Sequence, residues 1–257
     1  MWFATVAAPW RTVAFFLAGV TGGLANGVAG GGTFITFPTM LALGVPPLPA
    51  NLSTTVAIIP SFLSNLRGFR TEIRQHQPLI RRLVPIVAVG TGAGTALLLL
   101  GSSHTFERVV PWLIGAATLV FAVAPLLTRR LAGLDHHHPA RWWLLAVGMA
   151  VTAAYGGYFG AGVGIMMLAT MAIALPLELA EIQGIRSVLS LLVTVEAAIV
   201  FVVHGHLALG AIYPMFVGAL LGGWLGTQVL LRLRTSYVRA LIVVIGVATT
   251  IHLALAA

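Results

Sequence analysis

The sequence predicts an all-α, polytopic transmembrane protein, and three observations support this prediction: composition, segment length and an internal repeat. Of the 257 residues, 59% are hydrophobic and only 8% are charged, and the mean hydropathy is +1.01. A soluble domain of this size could not cover its core with so little polar surface. The apolar segments are much longer than the roughly 10-residue strands of a membrane barrel, whereas a helix needs about 20 residues to cross.

The charged residues lie mostly in short gaps between the apolar segments. All fourteen basic residues are arginine, the formal net charge is +8, and the arginines cluster at 67–82, 129–141 and 232–239. This is the loop charge that the positive-inside rule describes, so it indicates orientation in a lipid bilayer and no nucleic-acid partner. The absence of cysteine excludes disulfides and thiolate metal sites. No clear cleavage site follows the first apolar stretch, which we interpret as a mature helix.

An internal repeat organises the chain. A shift of 130 residues without a gap aligns Gly27 with Gly157, Gly30 with Gly160, and Gly32 with Gly162. Each half has the same plan, namely a glycine-interrupted apolar stretch (12–45 and 142–175), a helix after a proline turn (52–66 and 182–203), and two further helices (83–100 and 108–127, then 208–231 and 238–256). A shift of 132 residues aligns two small-xxx-small spacings that favour close helix packing, pairing Gly90 with Gly222 and Gly94 with Gly226.

The arginine distribution predicts that the two halves are inverted. The loop at 67–82 is rich in arginine and its counterpart at 203–209 has none, while the arginine-poor loop at 101–106 corresponds to the arginine-rich one at 232–239. Inversion requires an odd number of crossings per half, and we predict five, giving about 8–10 membrane segments in total. The expected organisation is a first repeat at 1–130, a cytoplasmic connector at 131–141 and a second repeat at 142–257, with both termini periplasmic.

The glycine clusters predict two broken helices. A glycine costs a helix interior about 1 kcal/mol relative to alanine. Inverted-repeat transporters bind substrate near the membrane midplane, where broken helices present backbone N–H groups and positive dipole ends. We therefore predict an anion site lined by Gly30, Gly31, Gly32 and Thr33 in the first half and by Gly160, Gly162 and Gly164 in the second. The alternative is close helix packing, since glycine is common in membrane helices.

Two segments carry a resemblance to a known family. "GVAGGGTFITFPTMLALGVPPLPANLSTTVAI" and the more degenerate "YFGAGVGIMMLATMAIALPLELAEIQGIRSVLS" resemble the TauE/SafE-type sulfite exporters, a family of bacterial membrane transporters. The first half has the glycine triplet, Pro38 and Gly44, whereas the second has Leu168 and Ala174 at the corresponding proline and glycine. The resemblance implies export of sulfite, a sulfonate or a related sulfur-containing anion across the inner membrane, without a cofactor.

Polar residues in the helices that follow the bends extend the predicted anion site. Arg186 lies near the start of the 182–203 helix, where an unpaired guanidinium costs roughly 2.5 to 3.5 kcal/mol and an oxyanion offsets that cost. The alternative is an interfacial arginine that reaches water or pairs with Glu178 or Glu181. The 130-residue shift gives Arg186 the counterpart Val56. The other candidates are the amides and hydroxyls Asn51, Ser53, Thr54, Gln183, Ser187 and Ser190, for which helix–helix hydrogen bonding is the alternative.

Glu196 is predicted near the centre of its helix and is the candidate for proton coupling, because an intramembrane carboxylate is a functional candidate. The alternative is a structural acid bonded to Asn65 or to another helix. His204 and His206 follow at the predicted outer face and are candidates for a proton relay or simply solvated. The run at 136–138 is histidine, but no partner ligands accompany it, so no metal is expected.

The function classes can then be separated. No H-E-x-x-H spacing or nucleophile and base pair occurs on the helices, so an enzyme is not expected. The sequence predicts a proton-coupled secondary transporter with alternating access around a midplane site. A passive anion channel is the alternative, because pores also use glycine and arginine, and another small organic anion is the alternative substrate. The oligomeric state stays open, with a homo-oligomer as one option.

Overall fold

The structure is a computed structural model that describes residues 9–131, 140–205, 207–229 and 235–256. The described part of the chain forms eleven α-helices joined by short connections. They are α1 (Pro9–Ala29), α2 (Thr33–Ala42), α3 (Pro47–Gly68), α4 (Arg70–Gln75), α5 (Gln77–Leu100), α6 (Ser103–Leu131), α7 (Ala140–Tyr158), α8 (Val163–Ala174), α9 (Leu179–His204), α10 (Leu209–Val229) and α11 (Thr235–Ala256). The predicted all-α class is confirmed.

The order of the helices repeats. Helices α1, α2, α3, α5 and α6 correspond in sequence to α7, α8, α9, α10 and α11, so each half has the expected five segments. Helix α4 has no counterpart, and it lies in the stretch 67–82 that we predicted to be a loop. The error arose because α4 has six residues and carries arginine and glutamate, which gives no apolar period. The core of the predicted connector, 132–139, lies outside the described residues.

Corresponding helices of the two halves run antiparallel. Near the start of α9, Gly184 contacts Glu72, just beyond the end of α3, while Gly205, just beyond the end of α9, contacts Leu52 near the start of α3. Helices α6 and α11 are also antiparallel, since Gly115 meets Thr250 and Thr118 meets Gly246. An inverted repeat produces this arrangement. The side of the membrane on which each end lies stays a prediction from the arginines.

The predicted close packing of two glycine pairs is visible in both halves. Helix α10 meets α1 through Gly222 against Val20 and Gly226 against Leu24, and helix α5 meets α7 through Gly90 against Ala150 and Gly94 against Ala154. A Cβ added at Gly90 would lie 2.5 Å from the Ala150 carbonyl oxygen, a distance that real Cβ atoms do not show. Both contacts join the first half to the second. The contacted residues are themselves 130 positions apart, so equivalent positions of the repeat pack at the two contacts.

The surface of the bundle is suited to lipid. Among the described residues, three helices are long and apolar enough to cross a membrane by length and composition, namely Gln77–Leu100, Leu179–His204 and the segment Leu209–Gly226 of α10. Large apolar side chains face outward along the bundle, with Leu100 88% and Trp112 77% exposed. An exposed apolar surface of this kind is stable in hydrocarbon and not in water.

Candidate functional site

Both predicted helix breaks are present, and both depend on glycine. Helix α1 ends at Ala29 and α2 begins at Thr33, with Gly30 at φ +77° between them. In the second half, Gly160 (φ +80°) and Gly162 (φ +75°) lie between α7 and α8. These angles are in the left-handed region, which side chains with a Cβ adopt only at a cost. We call 30–32 the first bend and 159–162 the second bend.

Each bend leaves backbone donors free at the start of a helix. The N–H groups of Gly31, Gly32 and Thr33 donate to no backbone carbonyl in the described part of the chain, and the same holds for Ala161, Gly162 and Gly164 at the second bend. These donors sit at the amino ends of α2 and α8, where the helix dipole is positive. Both bends therefore offer the kind of surface to which anions bind.

The Arg186 guanidinium lies between the two bends. The side chain is only 2% exposed, and its Nη1 atom is against Gly30 of the first bend and Gly164 at the start of α8. A Cβ added at Gly164 would lie 2.8 Å from that Nη1 atom. Glycine at both positions is therefore what lets the guanidinium occupy this space.

No carboxylate of the described residues pairs with Arg186. Its Nε atom is buried without a hydrogen-bond partner. Glu181 forms an ion pair with His76 instead (3.3 Å) and accepts a hydrogen bond from the backbone N–H of Glu178 (2.7 Å). The alternative of an interfacial arginine paired with Glu178 or Glu181 is therefore wrong: the guanidinium is buried beside two glycine bends.

A small cavity lies where the bends meet. Its volume is about 20 Å³, which is room for about one water molecule. Helices α1, α2, α3, α7, α8 and α9 contribute to it, as do both bends. The polar or glycine lining residues are Asn26, Gly30, Thr33, Thr55, Gly156, Gly160, Gly164 and Thr194, and the apolar ones are Ile58, Phe62, Val163 and Val193. A ligand larger than water requires the bends to move apart.

The structure brings part of the predicted site together. Gly30, Thr33, Gly160 and Gly164 line the cavity, and Arg186 borders it through Gly30 and Gly164. Asn51 does not line the cavity but contacts the backbone next to the second bend. Its side-chain amide donates to the Tyr158 carbonyl oxygen (3.1 Å) at the end of α7. Its own Oδ1 atom is buried and unpartnered. Asn51 therefore holds the second bend rather than facing the cavity.

Four predicted hydroxyls make other contacts. Ser53 accepts a hydrogen bond from the Ala208 N–H (2.8 Å), and Ser187 donates to the Gln183 carbonyl (2.7 Å). Thr54 and Ser190 each contact a methionine sulfur at 3.5 Å, on Met40 and Met167. None of the four lines the cavity in this conformation. Ser53, Thr54 and Ser190 contact other segments of the chain, whereas Ser187 bonds within α9. Gln183 has a buried Oε1 atom without a partner.

Asn26 is the main residue that sequence reasoning missed. Its side-chain amide donates to the Ser61 hydroxyl (2.8 Å), and that hydroxyl donates to the Ile58 backbone carbonyl (2.6 Å). These two hydrogen bonds connect α1 to α3 beside the cavity. The Asn26 carbonyl also accepts the Gly30 N–H (3.0 Å). A lone amide four residues before the first bend, in an otherwise apolar helix, was the signal available in the sequence.

The counterpart of Arg186 differs from the prediction. Helix α8 has 12 residues and α2 has 10, so the alignment of the halves changes from 130 to 132 residues after the bends. In this second alignment Leu52 corresponds to Gly184 and Ile73 to Gly205. The contact of Leu52 with Gly205 is therefore the repeat of the contact of Gly184 with Ile73. Arg186 therefore corresponds to Thr54, not to Val56. Asn51 corresponds to Gln183, and both have buried, unpartnered amide oxygens.

Glu196 lies apart from the anion site. It is ten residues beyond Arg186 on α9, or about 15 Å by helical rise. One carboxylate oxygen lies beside Gly92 of α5, and the other is buried without a hydrogen-bond partner. The structure shows no hydrogen bond between Glu196 and Asn65, and the Asn65 side-chain oxygen is also unpartnered. His204 is exposed, and the predicted histidines at 206 and 136–138 lie outside the described residues.

The fold and the site together define a class of protein. Corresponding helices of the two halves run antiparallel, and two broken helices surround the buried Arg186 guanidinium. This is the architecture of a membrane transporter. The chain belongs to the sulfite exporter TauE/SafE family, whose family model matches residues 15–253.

Curated relatives agree with this class. A probable membrane transporter protein of Haemophilus influenzae is 24% identical over 234 residues, covering 90% of this chain and 89% of that protein. The probable membrane transporter protein ORF9 of a Sinorhizobium species is 23% identical over 93% of this chain and 90% of its own length. The probable membrane transporter protein YfcA of Escherichia coli K12 is 23% identical over 91% and 86%. No solved structure matches the chain. These names are those of transporters and not of enzymes.

Proposed function

We propose that this protein is a secondary transporter that exports a small sulfur-containing anion, such as sulfite or a sulfonate, across the bacterial inner membrane. One observation carries the proposal: three positive groups meet at one buried place. They are the Arg186 guanidinium and the amino ends of α2 and α8, which reach it through Gly30 and Gly164. No described carboxylate forms an ion pair with the guanidinium. An oxyanion supplies the missing negative charge and accepts from the free N–H groups.

The carboxyl ends of α1 and α7 also reach this region, but they do not neutralise the arginine by hydrogen bonds. The Tyr158 carbonyl already accepts from Asn51, and the Ala161 carbonyl accepts from the Tyr155 hydroxyl (2.8 Å). Each of these carbonyl oxygens therefore already has one hydrogen-bond partner before any ligand binds. The site is therefore better suited to an anion than to a cation.

The membrane orientation follows from the arginines. With the arginine-rich stretches 67–82 and 232–239 in the cytoplasm, both termini are periplasmic and the connector 131–141 is cytoplasmic. Alternating access then requires the two bends to rearrange so that the site is exposed to one side at a time. The partners are the anion and the lipid bilayer.

An anion screen tests the proposal directly. We expect sulfite, thiosulfate or an organosulfonate to raise the thermal transition of the purified protein, because a ligand that binds the folded state stabilises it by mass action. Chloride at equal ionic strength is the control. In proteoliposomes the same anion should show saturable flux. If no sulfur-containing anion stabilises the protein, the substrate assignment is wrong, and unsaturated flux would favour the channel alternative.

Glu196 is proposed as the proton carrier of this transporter. Because glutamine has nearly the same shape but cannot release a proton, Glu196→Gln should leave anion binding intact and remove the response of transport to an imposed pH gradient. The measurement is anion uptake into proteoliposomes with and without the gradient. Glu107→Gln, which changes an exposed acid on α6, is the matched control. A gradient response that survives Glu196→Gln at full size would exclude this role.

A further inference from the structure

Helix α4 lies across the amino end of α9. A Cβ added at Gly184 would be 3.0 Å from the Glu72 Cβ and 3.4 Å from the Ile73 backbone nitrogen, so only glycine allows this approach without a shift. His76, the residue after α4, also forms an ion pair with Glu181 of α9 (3.3 Å). The other ring nitrogen of His76 faces the Glu72 carbonyl (3.1 Å).

This contact is next to the proposed anion site. Gly184 is two residues before Arg186 on α9, and it directly follows Gln183, whose side-chain oxygen is unpartnered. Movement of α4 away from α9 would therefore uncover the helix end that leads to Arg186. The stretch 67–82, which contains α4, has five arginines, so this end of α9 is the arginine-rich one.

A second contact closes the opposite end. Gly205 lies against the Leu52 side chain, and the Ala208 N–H donates to the Ser53 hydroxyl (2.8 Å), one residue beyond Leu52 and two beyond Asn51. The inverted repeat relates this contact to the first one, because Leu52 corresponds to Gly184 and Gly205 to Ile73. The two ends are built differently: α4 is a helix with an ion pair, and residues 205–208 have neither in the part of the chain described.

We propose that α4 is the gate on the arginine-rich side of the transporter, which opens by separating from Gly184 and Glu181 at the amino end of α9. This inference rests on the proposed function, since a gate presupposes a site to which access is controlled. In this structure the gate is closed, which agrees with a cavity that holds about one water molecule. The contact of residues 205–208 with α3 closes the other side.

The absence of natural cysteine makes a direct test possible. Glu72→Cys with Gly184→Cys places two thiols near the Cβ separation of a disulfide, which needs a movement of a few tenths of an ångström. A third cysteine, Thr33→Cys, reports access to the cavity. Inside-out membrane vesicles expose the arginine-rich side to a membrane-impermeant maleimide, and mass spectrometry of the peptide containing position 33 measures labelling.

We expect oxidation to lower labelling at position 33 by about tenfold or more, and a reductant to restore it. Each single gate cysteine combined with Thr33→Cys is the control and should not respond to oxidation. Labelling needs no substrate, so this result is separate from the anion screen: a failed screen with a responding gate would remove only the substrate assignment. Failure of the disulfide to form, unchanged labelling after oxidation, or no labelling in the reduced form would each overturn the gate.

A second variant keeps the test valid if the cysteine pair does not fold. His76→Ala removes the ion pair with Glu181, so labelling at position 33 from the arginine-rich side should become several-fold faster. Gln75→Ala, an exposed neighbour on α4, is the matched control. Equal rates in the two variants would contradict a gate held closed by this contact.

Discussion

Replacing Arg186 by methionine should make the protein more stable in the absence of ligand and strongly weaken its response to anions. Methionine keeps most of the side-chain volume and removes the charge, so little cavity is created. In the wild type, the guanidinium is buried beside two positive helix ends, its Nε atom is unpartnered, and no described acid pairs with it. Even for paired buried charges, replacing the pair by apolar groups of similar volume is often neutral or stabilising by about 1–4 kcal/mol.

The same variant should lose anion binding. A charge-assisted hydrogen bond contributes about 1.5–3 kcal/mol, which corresponds to roughly a tenfold to 150-fold loss of affinity when one is removed. Thermal unfolding with and without the stabilising anion measures both effects in one experiment. Arg186→Lys should retain part of the affinity, because it keeps the charge but not the two-pronged geometry of the guanidinium.

Arg82→Met, which changes an exposed arginine of α5, is the control and should leave the anion response unchanged. The opposite outcome is informative. A structural arginine that holds the bends together would give a variant that is less stable than the wild type at every anion concentration. That result would remove Arg186 from the binding site and leave the helix ends as the only donors.

The sequence predicted the helices and breaks well because each depends on local chemistry. Long apolar segments, proline turns and glycine clusters recur at a fixed distance, and the left-handed Gly30, Gly160 and Gly162 are positions where the backbone itself requires glycine. The distribution of arginine between loops predicted inversion, and the antiparallel course of α3 and α9 agrees with it. In these cases the decisive residues are close together in sequence or repeat at a constant spacing.

The site was predicted less completely because its contacts join distant parts of the chain. Whether Arg186 reaches the interface or the bends depends on how α9 packs against Gly30, 156 residues earlier in the sequence. Hydroxyls on the same face of α9 have different surroundings, because other helices pack against them differently. Thr194 lines the cavity, whereas Ser190 contacts Met167. The two additional residues of α8 change the offset between the halves from 130 to 132 residues before α9 begins, and the two ungapped shifts did not locate where this change occurs.

Gly30→Ala should abolish transport and destabilise the protein by more than an ordinary glycine substitution. Two costs add at this position. The backbone is left-handed at φ +77°, which costs a residue with a Cβ about 1–2 kcal/mol. The new Cβ would also collide with the Arg186 Nη1 atom and crowd the Gly164 Cα at 3.2 Å, so the guanidinium and the second bend must move. Measurements are the thermal transition and anion uptake.

Gly44→Ala separates these two costs. Gly44 has nearly the same backbone angle (φ +80°), but nothing lies within 4 Å of an added Cβ. The difference in stability between Gly30→Ala and Gly44→Ala therefore measures the crowding of the new Cβ against Arg186 and Gly164. Combining Gly30→Ala with Arg186→Met should recover most of that difference, since residues in contact give non-additive effects. Transport should not recover, because both bend geometry and charge are then lost. Purely additive stability changes would mean that Gly30 and Arg186 are not in contact in the folded protein.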